Sequence, residues 1–354
     1  MSKDGIKLKI NKKRYGLIIL VLSLVLVLSI GFFSVIGTAN IRPLDVLRIV
    51  LSKMPIINKH IEIEDLPDSY EAIIWTIRLP RVLLGVLVGA SLSMAGAAFQ
   101  GLFKNPMADP YVIGISSGAA FGATIAIVFG INISILNISS ISIFAFIGAL
   151  AAVFLVVNMA RFNHKIPTTT LLLSGIATGQ FLTAIMSLFM VMNSKDLAKI
   201  VYWTMGTLAG KGWKPLVSIS IPSIISMVLM NFFVKDLNIL LTGEESAQSL
   251  GVDVERVKTY ILILGTFMVS MSVSISGIIG FVGLIIPHMV RLVLGADHKI
   301  LLPASALVGG IFMISADLVA RTVISPMELP VGIITALFGG PFFLYLLRAS
   351  RKQA

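Results

Sequence analysis

The sequence predicts an all-α, polytopic membrane protein with about ten spanning helices and both termini in the cytoplasm. Composition carries the first part of that prediction. Of 354 residues, 56% are hydrophobic and only 13% charged, and mean hydropathy is +0.97. A water-soluble domain has no means of hiding that much apolar surface. Apolar windows of about 20 residues carry the second part, because that length crosses the hydrocarbon core as a helix. They fall near 15–37, 78–103, 111–130, 140–160, 168–192, 213–234, 258–276, 278–295, 300–323 and 330–348. The charge distribution carries the third. Lys3, Lys7, Lys9, Lys12, Lys13 and Arg14 crowd ahead of the first span, and Arg348, Arg351 and Lys352 follow the last. Basic residues stay on the cytoplasmic side, so an even number of crossings returns the C-terminus to that side.

Taken in order, residues 1–14 form a cytoplasmic basic N-terminus, 15–348 a single transmembrane domain and 349–354 a cytoplasmic C-terminus. The apolar run Leu17–Ile36 exceeds a signal-peptide core and reads as a retained helix. Residues 38–77 form an external segment. It holds Arg42, Arg48, Lys53 and Lys59 and the acids Glu62, Glu64, Asp65, Asp68 and Glu71. A short helix is expected from Pro43 to Met54, with Asp45 in its first turn. Residues 198–210 are too few to span and read as an external or re-entrant helix. Residues 235–258 form a cytoplasmic loop. Thr242 suits an N-cap before Glu244 and Glu245, and Gly251 suits the stop, giving a short helix, a glycine turn and a second short helix. That pattern fits a solvated connector or a docking element equally. The opposed halves 78–192 and 258–348 are compatible with an inverted repeat.

The spans are rich in small residues. Gly85/Gly89, Gly118/Gly122 and Gly175/Gly179 are small-xxx-small pairs that let helix backbones approach, and Gly277, Gly280 and Gly283 read as a ridge at spacing three. Pro106 and Pro110 break the chain after the second span, with Asn105 and Asp109 placed to satisfy freed backbone groups. Arg78 and Arg81 flank Pro80, a helix-starting residue, and suit snorkelling at the outer interface. Asp317 and Arg321, four apart, suit an intrahelical ion pair or an outward-facing arginine.

Several chemistries find no footing. The chain has no cysteine, so it forms no disulfide or thiolate site of its own. His164, His288 and His298 share no metal-ligand spacing. Gly206 to Gly212 imitates a phosphate loop, but with three intervening residues instead of four and glycine where the magnesium-binding hydroxyl belongs. No ATP site is expected in this chain. No span carries a run of acids or histidines for a proton relay, which weakens an ion-coupled mechanism. The +11 charge is a topology signal and does not mark a nucleic-acid partner.

The motifs resemble the FecCD-type permeases of type II ABC importers, which take up ferric siderophores, haem and cobalamin. The resemblance rests on Arg78-Leu-Pro-Arg81, Gly89 to Gly96, Gln100 to Pro110 with Asn105-Pro106-Met-Ala-Asp109-Pro110, and Gly114 to Ala119. It continues in Gly277 to Arg291, Asp317 to Arg321, and Glu328-Leu-Pro330. It implies a permease for an iron chelate, with haem or cobalamin as alternatives, in a prokaryotic cell membrane. A homodimer or close heterodimer encloses the path. Two ATP-binding subunits, which carry ATP and magnesium, dock on the loop holding Glu244, Ala247, Leu250, Gly251 and Val252. An external binding protein docks at positions matching Arg78, Arg81 and Arg321. The family's inner Ser-Thr gate aligns with Pro167-Thr168, followed by Thr169, so this chain departs at the first position.

Overall fold

The computed structural model describes residues 14–37, 41–53, 66–135, 138–163 and 165–351. The basic residues at 3–13, the external Lys59, Glu62, Glu64 and Asp65, His164 and Lys352 lie outside the described residues. The described residues are mostly helical. In order it forms α1 (Tyr15–Val35), α2 (Pro43–Ser52), α3 (Asp68–Glu71), α4 (Leu79–Leu102), α5 (Ile115–Val128), α6 (Ser140–Ala160), α7 (Thr168–Met192) and α8 (Leu197–Thr204). There follow α9 (Trp213–Phe232), α10 (Val234–Leu240), α11 (Glu244–Ser249), α12 (Val254–Ser276), α13 (Val282–Leu294), α14 (His298–Thr322) and α15 (Val331–Arg351). A two-residue hairpin, β1 (Ser134–Ile135) against β2 (Ile138–Ser139), joins α5 to α6.

Each of the ten apolar windows coincides with one helix. Seven are long and apolar enough to cross a membrane; α5, α13 and the apolar part of α15 are shorter. The shortening of α13 corrects the window at 278–295. Residues 277–281 are non-helical, with Gly277 and Phe281 both at positive φ. The supposed ridge Gly277–Gly280–Gly283 therefore does not exist as a helix face. Gly277 instead abuts the Trp203 carbonyl, while nothing lies near Gly280.

The core is organised around α4, which is buried along almost its whole length. Its small residues are the physical reason. A side chain on Gly89 would overlap the Gly309 carbonyl of α14, and one on Gly96 would overlap the Gly283 carbonyl of α13. On α12, Gly265 leaves room for the ring of Phe99. Gly118 and Gly122 of α5 meet Gly148 and Phe144 of α6 in the same way. With lipid outside, close backbone packing replaces the hydrophobic drive that joins helices in water.

The second span begins earlier than the sequence suggests. Helix starts at Asp68, and residues Ala72–Arg78 continue into α4 as a π-helical stretch. Pro80 explains it: the ring has no N–H and clashes with the preceding turn, so the ladder widens. Leu79 donates to Ile74, five residues back, which leaves the Trp75 carbonyl without a helical donor. The indole N–H of Trp213 fills that vacancy at 2.7 Å. Beside this stretch, α2 buries Val46 and Ile49 against Ile74 in a small separate core. Asp45 lies in the first turn of α2, as its sequence implies.

Candidate functional site

Three groups of predicted site residues lie at the two ends of the bundle. At the α2 end, Arg78, Arg81 and Arg321 come together, but none of them stands free at the surface. Each is 5% exposed. Arg81 forms a fork: Nε lies 3.0 Å and Nη2 2.9 Å from the two carboxylate oxygens of Asp317, and Nη1 lies 2.8 Å from Glu328 Oε2. Asp317 thus serves α4 more than its own helix, for Arg321 Nε is 3.9 Å away. The intrahelical pair expected of Asp317 and Arg321 is present, but it is the looser of the two contacts. Arg321 donates through Nη2 to the Phe33 carbonyl, and Arg78 donates through Nη1 to the Val35 carbonyl at 2.7 Å. Those are last-turn carbonyls of α1, which lack helical donors and carry the negative end of the helix dipole. The bare Cα of Gly37 gives the Arg78 guanidinium its room. The snorkelling expectation fails for the same reason: these arginines bind α1, α4 and α14 to one another. Glu328, whose side chain is 41% exposed, is the member of the cluster that faces outward.

At the opposite end, Glu244, Ala247, Leu250, Gly251 and Val252 form one compact turn. Gly243 occupies the N-cap of α11, and Thr242 instead donates to the Ile239 carbonyl of α10, correcting the predicted cap. Ala247 is fully buried and Leu250 points out. Gly251 stands at φ +85°, with its N–H on Gln248 and the Val252 N–H on the Ala247 carbonyl. This αL closure is the stop the sequence implies. The second short helix does not form; α12 itself begins at Val254, capped by Asp253.

Sequence reasoning missed what holds this turn. Lys258, 4% exposed, lies on α12 with Nζ 2.8 Å from Glu244 Oε2 and 3.2 Å from Glu255 Oε1. Glu255 in turn accepts the Ile166 N–H at 2.9 Å. Ile166 precedes Pro167, the N-cap of α7, and Thr168 and Thr169 open that helix. A buried lysine needs a carboxylate partner, so Lys258 with Glu244 and Glu255 was the one signal available in sequence.

The break after α4 is built locally. Asn105 accepts the Met107 N–H at 2.9 Å and Asp109 the Tyr111 N–H at 2.8 Å, each one residue beyond a proline, Pro106 or Pro110. Burial pushes the Asp109 carboxyl up to about 6, against the lowering effect of that hydrogen bond. The Tyr111 hydroxyl donates to the Ile279 carbonyl, tying the break to the non-helical start of α13.

Two spans bury little of their surface, and they differ in chemistry. α1 carries no charged or amide side chain beyond its ends, as a lipid-facing helix would. α7 buries only Leu171, Gly175, Thr178 and Leu182, and exposes Thr169, Thr170, Gln180, Thr183 and Ser187.

Comparison with known proteins gives a consistent picture. Residues 19–349 match the model of the FecCD transport family. The chain is 47% identical over 288 residues to the cobalamin import system permease protein BtuC of Halobacterium salinarum, covering 81% of this chain and 76% of that protein. It is 40% identical over 283 residues to the hemin transport system permease protein HmuU of Yersinia pestis, covering 79% and 84%. A solved structure described as an inward-facing conformation of a metal-chelate type ABC transporter superposes with TM-score 0.80 at 32% identity, covering 95% of this chain and all of that one.

Proposed function

Because the chain belongs to the FecCD transport family, we propose that it is the membrane permease of an ATP-driven importer for a bulky metal chelate. The single observation that carries the coupling part of this reading is the tie from Glu244 through Lys258 and Glu255 to Ile166. It connects the α11 turn to the first residues of α7. A push on α11 by an ATP-binding subunit, received at the exposed Leu250, reaches Thr168 and Thr169 through short, charge-assisted contacts. The end carrying α10 and α11 is then cytoplasmic, the α2 end external, and the inner gate lies at Thr168 and Thr169. ATP and magnesium belong to two separate subunits.

A second copy of the chain covers the hydroxyl- and amide-bearing face of α7, and the cargo passes between the copies. Weakly polar walls suit a large chelate, which must not be held tightly on its way. The external binding protein docks at the α2 end. Since Arg81 is occupied by Glu328, a carboxylate on the binding protein competes with Glu328 for that guanidinium. A ferric siderophore is our first reading of the cargo, and the 47% and 40% identities to a cobalamin and a hemin permease support those two chelates as the alternatives.

Reconstitution tests both levels. With its ATPase and binding-protein subunits, the chain should take up chelate only when ATP is present. Uptake by the chain alone on an ion gradient would overturn the importer reading. Competition between labelled ferric siderophore and cobalamin in a deletion strain decides the cargo.

A further inference from the structure

A cleft of about 390 Å³ lies between α6 and α12, outside every group described above except for its contact with Ile166. Its α6 wall runs from Leu150 to Arg161, which is about 16 Å at 1.5 Å per residue. Phe154 and Ile263 line it from the two helices and are both exposed on the outer face of the bundle. Asn158, Arg161 and Thr259 stand at one end of the slot, and the buried Thr266 is the one other polar side chain in an otherwise apolar wall.

The charge at the polar end is uncompensated. Arg161 and Lys165 are both exposed, and neither side chain has an ion-pair partner among the described residues. The nearby carboxylate of Glu255 is already engaged by Lys258 and the Ile166 N–H. A tight turn closed by paired Phe162 and Lys165 backbones joins Arg161 to Ile166, which both line the cleft, and Lys165 directly precedes Ile166 in it. Phe162, 73% exposed, projects from that turn as aromatic side chains do at a membrane surface. The exposed face here carries no polar stripe of the kind on α7, so hydrocarbon is its natural neighbour.

We propose that this cleft is a binding site for one anionic phospholipid of the adjacent leaflet. The phosphate sits between Arg161 and Lys165, and one acyl chain runs along Phe154, Val157 and Ile263 toward Leu150. Basic pockets between spanning helices recognise anionic headgroups in this way. The reading is independent of the cargo. It places a lipid against Ile166, so occupancy stiffens the segment that leads into α7.

The test uses the purified full complex in detergent, supplied with phosphatidylglycerol or phosphatidylcholine and examined by native mass spectrometry. The wild-type chain should retain phosphatidylglycerol in preference to phosphatidylcholine. Each of Arg161→Ala and Lys165→Ala should lower that retention about five-fold, since a basic residue near anionic lipid contributes about 1 kcal/mol. Ile263→Trp, on the exposed wall, should lower retention of both lipids by filling the slot. Equal retention of the two lipids, or retention unchanged in the double alanine variant, would overturn the proposal. The chain has no native cysteine. Efficient disulfide cross-linking between Ile263→Cys copies would also overturn it, by showing that a second chain covers the cleft.

Discussion

Lys258 Nζ lies 2.8 Å from Glu244 Oε2, so the first residue of α11 is fastened to the first turns of α12 by a lysine with almost no exposure of its own. Lys258→Met keeps the length of the side chain and removes the charge. The Glu244 and Glu255 carboxylates would then face one another without a cation. The expected outcome is a complex that still assembles and hydrolyses ATP while chelate uptake falls about ten-fold, a coupling change of the usual allosteric size. Parallel hydrolysis and uptake assays in proteoliposomes read this out. Equal loss of both activities would show that Lys258 only stabilises the fold.

Arg81 and Asp317 make a stronger structural prediction. Both are buried, and the fork between them joins α4 to α14. Arg81→Leu leaves Asp317 with only the loose Arg321 contact at 3.9 Å, which costs up to about 3–5 kcal/mol. Arg81→Leu with Asp317→Leu removes both charges and should recover much of that loss. Thermal unfolding of the four proteins of the cycle measures the coupling, and additive effects would contradict the observed fork.

Glu328→Gln separates packing from docking at the same place. Glu328 is the exposed partner of Arg81, so its neutralisation is tolerated and costs no more than about 1 kcal/mol. If a binding-protein carboxylate competes for Arg81, this variant should bind the binding protein several-fold tighter. The gain should shrink as salt is raised. Unchanged affinity would move the docking point away from Arg81.

These cases show how much was legible in the chain. Hydropathy located each of the seven helices that are long and apolar enough to cross a membrane, because burial in lipid needs only a run of apolar side chains. It placed the start of the second span ten residues late, at 78 instead of Asp68, because the π-helical stretch ahead of α4 depends on Pro80 and on a distant donor, Trp213. The roles of the three arginines were not legible. Their partners, Val35, Phe33, Asp317 and Glu328, lie up to 288 positions away, and spacing along one helix says nothing about a carbonyl on another. The turn at Gly251 was legible because a single glycine at positive φ after an acidic short helix is a local signal. The lysine that holds the turn left only its nearness to Glu244 and Glu255 as a signal, since its burial is decided by α7 and the loop before it.

Trp213→Phe tests the account of the π-helical stretch. It keeps an aromatic ring near Trp75 but leaves the Trp75 carbonyl without its donor. A lost hydrogen bond to a buried acceptor costs about 1–3 kcal/mol. Restoring the ladder instead, by Pro80→Ala, supplies an N–H at position 80 and should compensate in the Trp213→Phe background. Hydrogen exchange across 72–80 would show faster exchange in the single variant and recovery in the double.

Asp109 sets an expected pH dependence. Its carboxyl is raised from 3.8 to about 6 by burial, so the folded protein binds its proton more tightly than the unfolded chain does. Stability from this group is therefore fully present below about pH 4. It is lost as pH rises through 6, by on the order of 2–3 kcal/mol. Asp109→Asn keeps an oxygen to accept the Tyr111 N–H but has nothing to ionise. The variant should be as stable as the parent at pH 4, more stable at pH 7.5, and flat between them. Thermal unfolding across that range checks it. A parent whose stability does not fall between pH 4 and 7 would show that water reaches the carboxyl and that the break at Pro106 and Pro110 is wetter than its packing implies.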